Sequence, residues 1–353
     1  MSPDQADTLT DRTIVVTGVT GQVARPLALA LAKDNRVVGA ARFNDTAARE
    51  QLEAAGVECV RVDLASGDVD ALPEDADHVL HFAVAKSNDW EADLTANSGG
   101  LAYLMEHHHR ARSFLHCSST AVYKPDGHHA FAEDAPLGDN HGVWPFLRTY
   151  SICKIAAEGT ARWAAARFSL PTTIARLSVP YGDTGGWPAI HLHMMLNGHA
   201  VPVHVNAPSV YSPLHSDDIA AMVPRLLAVA SVPAVTVNWG GSEAVSIEEW
   251  CAYLVGFQGD DPVAGGGLRR LSEAVAEIKR MYVRPAARSR GVARALLVAL
   301  EDEAVSLGYT AARLDTGPKQ LHGLALYRSA GYVDVLPYND NPFACFWGEK
   351  RLT

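Results

Sequence analysis

The sequence predicts an α/β protein, with a doubly wound, mostly parallel sheet in its first half and a smaller mixed α/β lobe at its end. Three observations point there. A glycine turn, Gly18-x-x-Gly21-x-x-Ala24, stands between a β-branched run and an Ala- and Leu-rich run. A second strand-like run, Arg36 to Ala41, follows it, which makes a strand–helix–strand unit. Near the end another turn, Arg288-x-x-Gly291-x-Ala293, opens a long amphipathic stretch.

The first turn sits where its chemistry requires. Thr13-Ile14-Val15-Val16-Thr17 suits a buried strand, and Arg25 to Lys33 has the composition of a helix. Gly18 permits the tight turn, Gly21 lets the backbone approach a pyrophosphate, and Ala24 keeps helix and strand close. The free N–H groups of the helix start then face the anion. Turns of this kind also join strand to helix with no ligand, so the motif alone leaves both readings open. The second strand ends at Arg42, 24 positions after Gly18. An acidic residue there would accept the ribose hydroxyls of NAD. An arginine offers a planar, permanent charge to a 2′-phosphate, which favours NADP, with NAD as the alternative. A solvated arginine at a strand end is the plainer reading of the same residue.

From about Thr13 to about Gly256 the sequence resembles the extended short-chain dehydrogenase/reductase family, also called the NAD-dependent epimerase/dehydratase family. The motifs recur in order: Asp63-Leu64, His81-Phe82-Ala83, Asn97, Leu115 to Tyr123, Tyr150-Ser151-Ile152-Cys153-Lys154, Arg176, Tyr181-Gly182 and His215 to Asp218. The resemblance implies a Rossmann-type fold. It also implies that Asp63 and Leu64 contact the adenine end, that Ala83 passes under the nicotinamide ribose, and that Asn97 belongs to the cofactor site.

Tyr150 and Lys154 also have a physical logic. Residues four apart share a helix face, so the ammonium can sit beside the phenol and near a bound ribose. A nearby cation favours the phenolate, lowering a pKa that is ordinarily about 10 toward the range of a working acid or base. Ser119 aligns with the hydroxyl that orients the substrate, with Ser118 and Thr120 as rivals. Thr120 and Ala121 stand where sugar-nucleotide dehydratases of the family carry an acidic pair. Tyr211 stands where sugar-nucleotide enzymes tend to place an arginine, and Val203 to Pro208 lacks their usual glycines. These departures favour a smaller carbonyl or alcohol over a nucleotide sugar.

After Gly256, Gln258-Gly259-Asp260-Asp261-Pro262 reads as the core of a linker over 257–262. Ala264 to Leu271 and Ala276 to Val283 then read as a hairpin, and Gly291 to Leu307 as a helix ended by Gly308. From about Val263 to Lys350 the chain resembles the GNAT acetyltransferase family. The match rests on Arg288-Ser289-Arg290-Gly291-Val292-Ala293, Leu314 to Gly317, Gln320 to Tyr327 and Gly331-Tyr332. It implies that Val283, Arg288, Arg290, Gly291, Val292 and Ala293 cradle acetyl-CoA and that Tyr327 protonates the departing thiolate. An aromatic that closes a helix onto a sheet is the other reading of Tyr327. The opening strand, two helices and further strand of that family have no visible counterpart, so this lobe reads as incomplete.

The remaining chemistry is that of an ordinary enzyme. The chain has 353 residues, 48% hydrophobic and 20% charged, enough for two domains. No apolar run has membrane-spanning length, and the polar start lacks the parts of a signal peptide, which predicts a cytoplasmic protein without a membrane partner. Five scattered cysteines offer neither a disulfide framework nor a zinc site. A formal charge of −10 argues against nucleic-acid binding, and the basic residues between Arg269 and Arg294 are either a solvated face or contacts to coenzyme A phosphates. Consecutive His107, His108 and His109 point about 100° apart on a helix and cannot converge on a metal; they suit a helix end. The expected partner is a small-molecule substrate, and oligomeric state is not readable. The leading function is an NAD(P)-dependent oxidoreductase or epimerase built on Tyr150 with a C-terminal acetyl-CoA-binding lobe; the alternatives are an N-acyltransferase for which the first half is a scaffold, and a protein whose two lobes only bind ligands.

Overall fold

The computed structural model describes residues 9–196, 199–203, 208–251, 253–258, 261–318, 320–339, 341 and 344–352. The polar start, residues 204–207 of the glycine-poor stretch, and residues 259–260 of the expected linker lie outside the described residues. The chain divides into two compact units, one of 1–200 with 210–244 and one of 201–209 with 245–353.

In the first unit seven strands form one parallel sheet. They are β1 (Thr13–Thr17), β2 (Arg36–Ala41), β3 (Glu58–Arg61), β4 (His78–His81), β5 (Ser113–Ser119), β6 (Thr172–Leu177) and β7 (Val235–Trp239), in the order β7-β6-β5-β4-β1-β2-β3. Apolar side chains point to both faces, because helices cover both. Ile14 and Val16 enter the core shared with α1 (Ala24–Leu31) and α7 (Ser216–Ala228). Val15 enters the opposite core, with α4 (Gly100–His107) and α5 (Tyr150–Phe168). Buried Ala157, Ala161, Ala164 and Ala165 keep α5 close to the sheet. The shorter helices are α2 (Thr46–Ala54), α3 (Trp90–Leu94) and α6 (Trp187–Leu196). The strand order reverses between β1 and β4, which opens the crevice where doubly wound sheets bind ligands.

The second unit is a mixed sheet of β8 (Tyr253–Gln258), β9 (Asp261–Arg270), β10 (Val275–Val283), β11 (Ala311–Thr316), β12 (Val333–Asp334) and β13 (Phe346–Arg351). Its order is β8-β9-β10-β11-β13-β12. Its helices are α8 (Ile247–Cys251), α9 (Val292–Ser306) and α10 (Leu321–Ser329). Two expectations are corrected here. Of the stretch read as a linker, Gln258 ends β8 and pairs with Asp261 at the start of β9. Residues 253–256, read as the tail of the first half, belong to this second sheet, and α8 belongs to this second unit.

β10 and β11 are the one parallel pair of this sheet, and their pairing stops at Glu277 and Arg313. Leu268, Ile278, Leu297, Leu300, Leu314 and Phe346 build the core on the face of α9. The other face carries charges in register: Arg269 opposite Glu277, Glu277 opposite Arg313, and Arg313 opposite Glu349. Arg269 Nε donates to Glu277 at 2.8 Å and Arg313 Nε to Glu349 at 2.6 Å. Cross-strand pairs of opposite charge stabilise this face, where Glu277 is buried and the Tyr338 ring lies against the Arg313 guanidinium. Among the described residues no helix is long and apolar enough to cross a membrane.

Candidate functional site

The glycine turn closes as its spacing requires. Gly18 has φ +69°, its N–H donates to the Ala40 carbonyl at 2.8 Å, and its carbonyl accepts from Gly21 N–H at 2.8 Å. A Cβ on Gly18 would lie 2.7 Å from the Ala83 nitrogen, so the turn and the segment after β4 meet backbone to backbone. Ala24 is buried at the start of α1, and no side chain caps that helix; Arg25 N–H donates to the Gly21 carbonyl at 3.0 Å and Pro26 has none, so of the first three helix residues only Ala24 keeps an N–H for an anion. Arg42 follows β2 and is exposed, with no ion pair or hydrogen bond among the described residues. Asp63 is exposed just beyond β3 and accepts Ala65 N–H at 3.2 Å, starting the single turn Leu64–Ser66. Leu64 lies against the start of α4, where a Cβ on Gly100 would stand 2.7 Å from the Leu64 carbonyl oxygen. These features fit a dinucleotide at the ends of β1, β2 and β3.

Asn97 sits deeper than the resemblance implies. It is buried, its Oδ1 accepts Ala85 N–H at 2.9 Å, and its Nδ2 donates to the carbonyls of Ala85 at 2.8 Å and Asp93 at 2.7 Å. Both amide protons are committed, so Asn97 holds the 83–85 segment in place instead of offering a donor to a ligand. It does so from a one-turn π-helix, Thr95–Gly99, a feature frequent at functional sites.

Tyr150 is the first residue of α5, and its hydroxyl has no hydrogen-bond partner among the described residues. One turn on, Lys154 is buried and donates from Nζ to the Cys117 carbonyl at 2.7 Å, which draws the ammonium in over β5. The three hydroxyl candidates separate. Ser118 is buried and donates to Glu158 Oε1 at 2.7 Å, so it is structural. Ser119 ends β5, is part-exposed, and accepts Ala121 N–H at 3.2 Å, which fixes its oxygen at the strand tip. Thr120 begins the following single turn.

Several contacts that hold the site escape sequence reading. Buried Asp93 accepts from Ser87 N–H (2.9 Å), Ser87 Oγ (2.7 Å), Asn88 N–H (3.0 Å) and Thr149 Oγ1 (2.6 Å). Burial alone would raise the Asp93 carboxyl, but these donors, Thr149 first, hold it below the ordinary carboxylate range. Asp93 thereby ties the loop after β4 to the residue preceding Tyr150. Glu158 and Arg176 form a buried two-point ion pair, both contacts 2.8 Å. Burial opposes charge on Glu158 too, and Arg176 and Ser118 outweigh it, leaving the carboxyl below its usual range. Arg176 also lies over the Tyr123 ring, 4.7 Å from its centroid. His141 meets the Tyr150 ring edge-on at 5.4 Å and contacts Ser151 Oγ through Nδ1 at 2.9 Å.

In the second unit Gly291 has φ +78° and starts α9 with no side-chain cap, so the amides of Val292 and Ala293 are open to an anion. Arg288 turns back, its Nε donating to the Val283 carbonyl at 2.9 Å and its guanidinium lying over Tyr282. It closes the loop that carries exposed Arg290. Tyr327 is buried in α10 with its hydroxyl 3.9 Å from Met281 Sδ. Burial, and then the Asp315 carboxylate, raise the Tyr327 phenol above its ordinary value, so it keeps its proton at neutral pH. Of the basic residues expected near coenzyme A phosphates, Arg269 and Lys279 pair instead with Glu277. The three histidines end α4 on separate carbonyls: His107 on Leu72, His108 on Leu104 and His109 on Glu106.

A parallel sheet with a glycine turn at its switch point and a Tyr–Lys pair on the adjoining helix defines a nucleotide-binding α/β protein. Residues 14–240, more than half of the chain, match the NAD dependent epimerase/dehydratase family, and the chain belongs to it. Residues 230–332 match the acetyltransferase (GNAT) family. An IAA acetyltransferase of Azospirillum brasilense is 43% identical over 79 residues, which are 22% of this chain and 51% of that protein. The chain thus spans about half the length of the curated relative it matches. Among solved structures, UDP-glucuronic acid 4-epimerase from Bacillus cereus, with UDP-glucuronic acid and NAD, has TM-score 0.57 at 24% identity, covering 67% of this chain and 80% of that one. The dTDP-glucose 4,6-dehydratase DesIV of Streptomyces venezuelae, with NAD, has TM-score 0.57 at 18% identity, covering 66% and 77%. At such identities the likeness establishes the fold.

Proposed function

We propose that the first unit is an NAD(P)-dependent oxidoreductase or epimerase acting on a small carbonyl or hydroxyl substrate, and that NADP is preferred. The observation that carries this reading is the unpartnered Tyr150 hydroxyl one helical turn from a Lys154 ammonium anchored on β5. Gly18, Gly21 and the open start of α1 would hold the pyrophosphate, Arg42 a 2′-phosphate, and Asp63 and Leu64 the adenine end. Bound there, the nicotinamide supplies or takes up hydride. Tyr150 gives its proton to the substrate oxygen in reduction and takes it back in oxidation. Lys154 favours the phenolate left behind, and Ser119 orients the substrate oxygen from the end of β5. Reductase and epimerase chemistry draw on the same three residues.

A second reading gives the second unit an N-acyltransferase activity with acetyl-CoA. It is favoured by the identity with the IAA acetyltransferase and by the open N-terminus of α9. In that reading Tyr327 delivers its retained proton to the thiolate. The two are separated by paired variants. Tyr150→Phe is expected to keep NADPH affinity and lose roughly 10²–10⁴-fold in NADPH turnover, whereas Tyr327→Phe leaves that turnover unchanged. Turnover that survives Tyr150→Phe would show the mechanism to be wrong.

A further inference from the structure

One ring beside Tyr150 has its proton placed by its neighbours. Ser151, the second residue of α5, is buried, and its Oγ donates to the Ala121 carbonyl at 2.8 Å. A hydroxyl has one proton, so the 2.9 Å contact between Ser151 Oγ and His141 Nδ1 is a bond that the ring donates. Nδ1 therefore carries the hydrogen. Nε2 of the neutral ring is left as an acceptor, with no hydrogen-bond partner among the described residues. Burial, opposed by Asp139, pushes His141 below its ordinary value and so keeps the ring neutral at pH 7.

The backbone holds that ring in place from the other side. Asp139 Oδ1 accepts His141 N–H at 3.1 Å and Gly142 N–H at 2.8 Å, and a Cβ on Gly142 would have no room against that carboxylate. Ala121, whose carbonyl takes the Ser151 hydroxyl, gives its own N–H to Ser119 Oγ at 3.2 Å. Ser119 and His141 thus stand at the two ends of one hydrogen-bonded bridge, and the His141 ring meets Tyr150 edge-on at 5.4 Å. Those contacts bring all three within reach of one small substrate. Ser119 and Tyr150 each keep a proton to give, and both can address a single carbonyl oxygen. His141 Nε2 can only accept. A substrate with a carbonyl alone would leave it unpaired, and a cationic donor would be repelled by the Lys154 ammonium one turn along α5.

We propose that His141 is a specificity-determining residue of the Tyr150 site: its Nε2 accepts a hydrogen bond from a hydroxyl on the carbon next to the reacting carbonyl, so the substrate class is an α-hydroxy carbonyl compound. This rests on the reading of Tyr150 and Lys154 given above. In reduction the carbonyl carbon takes up hydride and its oxygen takes the Tyr150 proton, which gives a vicinal diol. The neighbouring hydroxyl keeps its proton throughout and shares it with His141 only as a hydrogen bond.

The test compares NADPH turnover by the full chain on matched ketones, acetone against hydroxyacetone and acetophenone against its α-hydroxy derivative. Wild type is expected to favour the hydroxy member of a pair roughly 10-fold in kcat/KM, and His141→Phe to bring that ratio within about twofold. Equal turnover of both members by wild type, or a preference that His141→Phe leaves unchanged, overturns the role of His141, while loss of turnover in Tyr150→Phe keeps the underlying reading. Failure to turn over any of these ketones, or turnover that survives Tyr150→Phe, means instead that the underlying reading fails. Ring NMR of the full chain with ¹⁵N-labelled histidine gives a readout apart from activity, the His141 signals being those missing from His141→Phe. Nδ1 is expected to carry the hydrogen and Nε2 to be bare; a hydrogen on Nε2 of the neutral ring would overturn the proposal. Should the phenyl ring prevent folding, His141→Leu takes its place with the same outcomes.

Discussion

Gly18 packs so closely under Ala83 that a Cβ on it would stand 2.7 Å from the Ala83 nitrogen, with a backbone already at φ +69°. The glycine turn and the segment after β4 are therefore one unit, closed further by the Ala83 N–H bond to Thr17 Oγ1. Gly18→Ala combines a backbone collision with a left-handed φ, and a loss of about 1–3 kcal/mol is expected. Denaturant unfolding measures that loss, and calorimetry should show dinucleotide binding abolished even where the variant is folded.

In the proposed reading Arg42 discriminates between the two cofactors. Its guanidinium is exposed and unpaired among the described residues, so its removal leaves the fold intact. A charge-assisted hydrogen bond contributes about 1.5–3 kcal/mol, so Arg42→Ala is expected to weaken NADPH binding roughly 10- to 100-fold and leave NADH within about threefold. Equal losses for both cofactors would place the arginine away from the 2′-phosphate.

The Glu158–Arg176 pair supports the strand that ends in Ser119. Glu158→Ala leaves a buried guanidinium and the Ser118 hydroxyl without their acceptor. Breaking a buried pair on one side costs about 3–5 kcal/mol, to be read from the unfolding midpoint. Glu158→Gln keeps an acceptor and should lose less.

Acid weakens this protein in two windows. His81 and His108 are buried and pushed down to about 3 and about 4, while an unfolded histidine takes its proton near 6.5. Between those values the unfolded chain binds protons that the folded chain refuses, so stability falls as pH drops below about 6.5. Asp93 and Glu158 lie below the ordinary carboxylate range, and the stability they contribute is lost only further down, as pH falls through their folded values. Unfolding free energy measured from pH 8 to 4 should decline in wild type and decline less steeply in His108→Phe.

The strand–turn–helix–strand start was legible because its apolar runs are continuous and its glycines have one use. The placement of Tyr150 and Lys154 one turn apart on α5 was legible because a four-residue spacing fixes a shared helix face. Asp93 with Thr149 and Glu158 with Arg176 were not, since a single sequence shows polar residues and not which of them meet. That Ser118 drops out as a rival to Ser119 needed Glu158, which claims the Ser118 hydroxyl from α5. Asn97 looked like a ligand contact because its place in the family pattern does not reveal that both its amide protons go to backbone carbonyls. Gln258 to Pro262 looked like a linker because its composition does not reveal that Gln258 pairs with Asp261.

The most direct test of the central claim is calorimetric titration of the full chain with NADPH, NADH and acetyl-CoA in separate runs. Binding of NADPH, tighter than NADH and lost in Gly18→Ala, is the expected result. Binding of acetyl-CoA with neither dinucleotide would contradict the account and move the function to the second unit.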